Sequence, residues 1–278
     1  MSDWDRDWPA PAKLNLFLHV VGRRSDGYHL LQTVFRFLDH GDVLRCEPRS
    51  DARIVRANPL PGVAPESDLV VRAAEALRAA TGASAGATLH LDKRLPMGGG
   101  LGGGSSDAAT ALIALNRLWR TGLQSAQLQE IGLRLGADVP IFIHGRSAFA
   151  EGVGERFTDV SLPPAWYLVL VPAVSVPTPE IFRSPHLRRD TPVLGASDWR
   201  PGEGRNDLEP VACSLYPEVA HHLDWLRAYG DARMSGSGAC CFVGFDGEAP
   251  ARAALAALPR EMSGFVARGI DLHPLAGI

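Results

Sequence analysis

Lysine is almost missing from this chain. Of its 28 basic residues only Lys13 and Lys93 are lysine and the other 26 are arginine, so each lysine raises the question of why a guanidinium would not serve there. Net charge is also small, −3, which gives no electrostatic case for nucleic acid or an anionic membrane as partner. Long apolar runs are lacking: none approaches the roughly 18 residues of a membrane span, and the segment Met1 to Trp8 is too charged for a signal peptide. The four cysteines, Cys46, Cys213, Cys240 and Cys241, show no C-x-x-C spacing and two are adjacent. That argues against a disulfide framework or a zinc site and fits buried free thiols in a reducing, cytoplasmic setting. With 46% hydrophobic and 21% charged residues over 278 positions, the chain reads as an ordinary globular protein of one large or two medium domains.

Glycine, by contrast, is concentrated in one stretch, Pro96 to Ala109, P-M-G-G-G-L-G-G-G-S-S-D-A-A, where six of the seven residues from Gly98 to Gly104 are glycine. Such a run is expensive to order and is kept where bare backbone must approach something closely. Ser105, Ser106 and Asp107 favour a helix N-terminus, and Ala108, Ala111, Leu112, Leu115 and Trp119 follow at helical spacing. A glycine loop opening into a helix offers unpaired N–H groups and the positive dipole end to one point, an anion site whose usual occupant is phosphate. The run also satisfies G-x-G-x-x-G. A dinucleotide fold, however, would want a continuous apolar strand before it and an acidic residue about 20 positions later. Here Thr88 to Lys93 alternates and residues 120–123 are Arg, Thr, Gly and Leu. No Gly-Lys-Ser/Thr closes the run either, so the P-loop signature fails.

Along the chain, residues 9–21 alternate as a strand with Leu14, Leu16 and Leu18 on one face and Lys13, Asn15 and Phe17 on the other. Asp26-Gly27 marks a turn, and a second strand is expected over Tyr28–Leu38. Taken alone, Tyr28 and His29 read as a strand-edge aromatic and a solvated imidazole. Weaker strands are expected at 43–45 and 52–55. A helix capped at Ser67-Asp68 stops at Gly82, and another spans about 125–135. Asp138 precedes Val139-Pro140 as an N-cap would, and on spacing alone a capping role is its simplest explanation. Hairpin strands follow at 147–150 and 152–156. Leu162-Pro163-Pro164 suggests a boundary between units 1–162 and 163–278. In the second unit a buried strand starts at Trp166 and a short helix or loop at Thr178. Residues 183–204 lack periodicity and read as a long mobile connection. Asn206 opens a helical region in which His221-His222 reads as a solvated face. The chain ends in strand, glycine turn and strand from 233 to 245, a helix over 249–258 and a strand near 265–267.

Three stretches carry a resemblance. P-A-K-L-N-L, the glycine run and S-G-S-G-A resemble the three motifs of the GHMP kinases (galactokinase, homoserine kinase, mevalonate kinase, phosphomevalonate kinase). P-A-K-L-N-L-F-L-H-V, R-x-D-G-Y-H-x-L-x-T-V-F, L-G-A-D-V-P-I-F and N-D-L-E are closer still. They resemble the branch of that family serving the non-mevalonate isoprenoid pathway, along essentially the whole chain. The resemblance implies an α+β fold of two domains with the active site in the cleft between them. It implies ATP-dependent phosphorylation of the 2-hydroxyl of 4-diphosphocytidyl-2-C-methylerythritol, a small-molecule acceptor. Carried over, Pro96, Gly98, Gly99, Gly100, Leu101, Gly102, Gly103, Gly104, Ser105 and Ser106 would hold the ATP phosphates. Asp138 would be the catalytic base and Lys13 its cationic partner. Tyr28 and Phe182 would stack on the cytosine, His29 would read its edge, and Asn15 would help hold the substrate. The turn at Gly236–Gly238 would close the site.

That chemistry suits the residues. Phosphoryl transfer asks chiefly for positioning and well-placed charge, and a hydroxyl nucleophile needs a proton acceptor. A compact ammonium suits position 13 where a wide guanidinium would not, whereas Lys93 reads as a solvated strand residue. Mg²⁺ is expected with ATP, held mainly by phosphates and water with Ser106 as a candidate ligand, since no multi-carboxylate metal site is visible. A monomer or weak homodimer is expected. Another GHMP-type kinase of the homoserine or mevalonate kinase kind, or a nucleotide-binding protein without turnover, remains the alternative.

Overall fold

A computed structural model describes residues 2–278. The trunk of the structure is a pair of long antiparallel strands, β1 (Trp8–Arg23) and β2 (His29–Arg49), joined by the Asp26-Gly27 turn. The two strand segments expected within 28–45 are thus one continuous strand. β3 (Ile54–Arg56), α1 (Leu69–Thr81), β4 (Gly86–Asp92), α2 (Gly103–Leu118), α3 (Ser125–Leu135), α4 (Val139–His144), β5 (Ala148–Glu151) and β6 (Arg156–Asp159) complete the first half. The second half contributes β7 (Trp166–Leu170), α5 (Thr178–Arg183), α6 (Glu209–Leu215), α7 (Pro217–Leu226), β8 (Arg233–Met234), β9 (Cys241–Phe245), α8 (Glu248–Ala256) and β10 (Gly264–Ile270).

β2 carries β1 along one edge and, in turn, β5, β10 and β4 along the other. Since β10 also pairs with β7, one ten-stranded sheet runs through both halves. Helices α1 to α4 bury Ala73, Leu77, Leu112, Leu115, Ile131 and Ile141 against the first part of the sheet. The second core gathers Leu168, Leu170, Leu208, Leu223 and Val243. α1 begins as its sequence predicts, with the Asp68 carboxylate accepting from Val70 N, and ends at Gly82 in the left-handed region. Among the described residues no helix is long and apolar enough to cross a membrane.

Two expectations need correcting, one at 183–204 and one at His222. The face of β1 that carries Lys13 and Asn15 is buried, the two residues being each 2% exposed. Register shifts between Pro11 and Lys13 and between Asn15 and Leu18 re-aim that stretch inward. The connection at 183–204 lacks helix and strand beyond the end of α5, as its composition predicts, but it is tied down. Leu187, Thr191 and Trp199 are buried, Trp199 stacks on Phe17, and Gln32 exchanges two hydrogen bonds with the Leu194 backbone. Side-chain-to-backbone ties of this kind leave no periodic trace in a sequence. Finally, His222 is buried and hydrogen-bonds the Glu218 carbonyl rather than facing water.

Candidate active site

The glycine run forms a cradle in which three successive carbonyls are tied away from the cavity. Gly99 O accepts from Cys240 N, Gly100 O from Ser235 Oγ at 2.8 Å and Lys13 Nζ at 3.1 Å, and Leu101 O from Lys13 N. The amides do the reverse: among the described residues none of the N–H groups from 98 to 105 has a hydrogen-bond partner. A run of orphan donors at a helix start is an anion receptor. Close contact explains the glycines. Gly100 has φ +76°, and a Cβ there would fall 2.0 Å from Ser235 O; one at Gly102 would fall 2.9 Å from the Phe142 ring.

The helix does not start where its serines suggest. α2 begins at Gly103 and is capped by Gly102 in the left-handed region with no side-chain cap, so Ser105, Ser106 and Asp107 lie inside its first turns. A Ser or Asp cap would occupy one of the free donors; a glycine cap leaves them to a ligand. Ser105 lines the cavity with the glycines, whereas Leu101 is buried in an apolar cluster and Ser106 is fully enclosed. Only the backbone of Leu101 belongs to the cradle.

Across from the loop, the Lys13 ammonium donates to Asn15 Oδ1 at 2.5 Å and Gly100 O at 3.1 Å, and lies 3.1 Å from Asp138 Oδ2. Its three donor directions are thereby committed. The Asn15 amide nitrogen donates to Thr33 Oγ1, so Asn15 orients the lysine as well as lining the cavity. Asp138 stands at the N-cap position of α4 but its side chain makes no capping bond, and the simplest reading of its spacing does not hold. The carboxylate faces the cavity at 35% exposure beside a lysine at 2%.

Lys93 is the clearest reversal. It is no solvated strand residue: its side chain is 14% exposed, with Nζ 2.5 Å from Asp42 Oδ2 and 2.7 Å from Asp107 Oδ2. Asp42 Oδ1 accepts in addition from Arg94 N and Leu95 N. This cluster fastens the chain entering the glycine loop to the helix leaving it. Burial pushes the Asp107 carboxyl up to about 7 against the pull of Lys93. Burial alone would lower the lysine, but its two carboxylates outweigh that and raise it. The arginine bias marked this position; the alternating pattern of residues 88–93 concealed its burial.

The loop cavity, of about 390 Å³, includes Lys13, Asp138, Ser105, Gly236 and Ser237. A second cavity of about 670 Å³ adjoins it, lined by Tyr28, His29, Phe182 and Arg189. Leu31, Ala137, Val153, Thr178 and Phe182 line both, so Asp138 sits next to the join. Tyr28 is 65% exposed and His29 lies 4.9 Å from Phe182, ring centre to ring centre. The structure thus gathers the residues singled out in the sequence around one divided cleft, and adds Thr33, Asp42, Lys93, Asp107, Arg189 and Ser235. Among the described residues no group of three His, Cys, Asp or Glu side chains could hold a metal. Asp138 is the one carboxylate lining the loop cavity, and the buried Ser106 hydroxyl has no partner. That donor set fits a cation carried in on phosphates rather than a resident ion.

The chain is similar to known proteins in sequence and in fold. Residues 68–146 match the GHMP kinases N terminal domain and residues 196–264 the GHMP kinases C terminal domain. A relative from Dechloromonas aromatica named 4-diphosphocytidyl-2-C-methyl-D-erythritol kinase is 61% identical over 272 residues, covering 98% of this chain and 99% of its own. A crystal structure of 4-(cytidine 5′-diphospho)-2C-methyl-D-erythritol kinase superposes with a TM-score of 0.82 at 36% identity, over 95% of this chain and 99% of that one. The Methanococcus jannaschii mevalonate kinase shares the fold, with a TM-score of 0.70 at 14% identity over 96% of this chain and 98% of that one. The chain belongs to the GHMP kinases and, within them, to the family of the 4-diphosphocytidyl-2-C-methyl-D-erythritol kinases.

Proposed function

We propose that this cleft transfers the γ-phosphoryl group of ATP to the 2-hydroxyl of 4-diphosphocytidyl-2-C-methylerythritol, in isoprenoid precursor synthesis by the non-mevalonate route. The observation that carries the reading is the Lys13–Asp138 pair, placed beside the join between a cradle of free amides and an aromatic-walled cavity. ATP phosphates lie on the N–H groups of 98–105, and the cytosine lies between Tyr28 and Phe182. The acceptor hydroxyl then reaches Asp138 Oδ2, which takes its proton as the oxygen attacks. Lys13, fixed by Asn15 and Gly100 O, supplies positive charge where negative charge develops, without reorganising during the reaction. A Mg²⁺ ion carried in on the nucleotide would supply charge neutralisation, held mainly by phosphates and water; the enclosed, unpartnered Ser106 hydroxyl is the protein's candidate ligand once the loop has moved to admit it.

Residues 1–162 form the unit that binds phosphate and carries the base, and 163–278 the unit that completes the cleft. Their tail returns Leu275 to the first core. The enzyme works in the cytoplasm as a monomer or weak homodimer. ADP release should be measured with ATP and, in turn, the cytidine acceptor, homoserine and mevalonate. Turnover confined to the cytidine acceptor is expected; turnover with another alcohol, or none, overturns the reading.

A further inference from the structure

Arg189 belongs to the irregular connection after α5 and lines the second cavity together with two of its partners, His29 and Phe182. Nη2 donates to Phe182 O at 2.9 Å and Ser184 O at 2.8 Å, and Nη1 to Leu187 O at 2.9 Å. Nε–H points at His29 Nε2, 3.0 Å away. A guanidinium only donates, so Nε2 of His29 must be the accepting, unprotonated nitrogen, and the ring proton sits on Nδ1. This is the opposite of the tautomer that a free histidine side chain prefers in water. A second ring proton would set N–H against N–H, and burial together with Arg189 and Arg23 holds the imidazole below its usual range, hence neutral. Among the described residues Nδ1 has no hydrogen-bond partner, nor is it enclosed by protein, and His29 lines the cavity with Tyr28 and Phe182.

We propose that Arg189 sets the base preference of the acceptor site by fixing His29 as an Nδ1–H donor. Such a donor accepts a pyrimidine whose N3 is bare, as in cytosine, and opposes one carrying N3–H, as in uracil. The proposal rests on the reading that the acceptor's base occupies this cavity. Stacking on Tyr28 and Phe182 would hold either pyrimidine, since every base has a π face; the discrimination comes from a donor whose direction the protein has already fixed. The same guanidinium also anchors the Phe182 carbonyl, so the edge reader and one wall share a single support. Arg189 is argued as a positioning residue: its Nε–H fixes His29 and its other donors hold backbone carbonyls.

Two measurements test this. In the free enzyme labelled with ¹⁵N-histidine, long-range ¹⁵N–¹H correlation should show His29 protonated on Nδ1 and bare on Nε2, changing toward Nε2–H in Arg189→Met. In steady-state assays the ratio of kcat/KM for the cytidine acceptor to that for its uridine counterpart should fall roughly 10- to 100-fold in Arg189→Met, the worth of one mispaired buried donor. Arg189→Lys, which keeps one donor, should fall between. Nε2–H on His29 in the unaltered enzyme overturns the proposal without touching the kinase reading. So does an unchanged ratio in Arg189→Met with both acceptors weakened alike, because that is what losing the Phe182 anchor alone would do. If the unaltered enzyme uses neither acceptor, the kinase reading fails and the base preference with it, even with the tautomer as described.

Discussion

The Lys13 ammonium lies 3.1 Å from the Asp138 carboxylate, and of the two side chains only the aspartate meets the cleft with appreciable surface. The lysine is held from behind by Asn15 and Gly100 O. Charge is thus fixed in the wall while the group that must exchange a proton stays accessible.

Replacing Lys13 by arginine keeps the charge and removes the fit. The lysine stem runs so close to the loop that a Cβ at Gly102 would fall 3.0 Å from Lys13 Cε, leaving no width for a guanidinium. Lys13→Arg should lose turnover by roughly 10²-fold or more, the scale of one misplaced charge-stabilising donor, with ATP affinity mostly retained. Steady-state kinetics alongside nucleotide-binding calorimetry would check it, and equal turnover in the two proteins would mean that the scarcity of lysine carries no meaning here.

Lys93→Met should behave quite differently. It leaves Asp42 and Asp107, 1% and 2% exposed, buried without their shared cation. Breaking a buried ion pair typically costs about 3–5 kcal/mol, so a large drop in urea midpoint is expected, together with weaker ATP binding as the loop loses its brace. A solvated lysine would leave the midpoint unchanged.

How much of this was legible beforehand depends on the kind of contact. β1, α1, α3 and the glycine turn at 236–238 follow from periodicity and from capping or turn residues, and the glycine run pointed to a cradle of free amides. What stayed hidden depends on residues distant in sequence. The Asp42–Lys93–Asp107 cluster joins three segments, and no local pattern marks it. The helix start at Gly103 was misplaced because Ser and Asp are good caps in general, while a phosphate site gains from having none. Arg189 lay in a stretch without periodicity, where a sequence offers no sign of tertiary ties.

Acid should expose a further feature. His273 is 2% exposed, its Nδ1 accepts from Leu275 N, and burial lowers its pKa from 6.5 to about 4. A histidine kept neutral by folding takes up its proton more readily when unfolded, so its contribution is intact above pH 6.5 and is lost as pH falls toward 4. At pH 5 the penalty should be about 2 kcal/mol. Asp107, raised to about 7, gains stability over the same interval, so the test is a comparison: in urea unfolding at pH 7.5 and pH 5, His273→Leu should lose about 2 kcal/mol less on acidification than the unaltered chain.

The aromatic wall gives a prediction about specificity. Tyr28→Ala and Phe182→Ala should each raise the KM for the cytidine acceptor roughly tenfold or more, from about 1–3 kcal/mol per stacked ring, while the KM for ATP hardly moves. If both constants rise together, the rings serve the shape of the whole cleft rather than the base.

The most direct test of the account is turnover by Asp138→Asn at saturating ATP and cytidine acceptor, measured with its melting temperature. Asparagine is as good a cap as aspartate and can still hydrogen-bond Lys13, but it cannot take the hydroxyl proton. The account predicts turnover lower by roughly 10²–10⁴ in a protein that melts almost where the unaltered one does. Full turnover in that variant would contradict it.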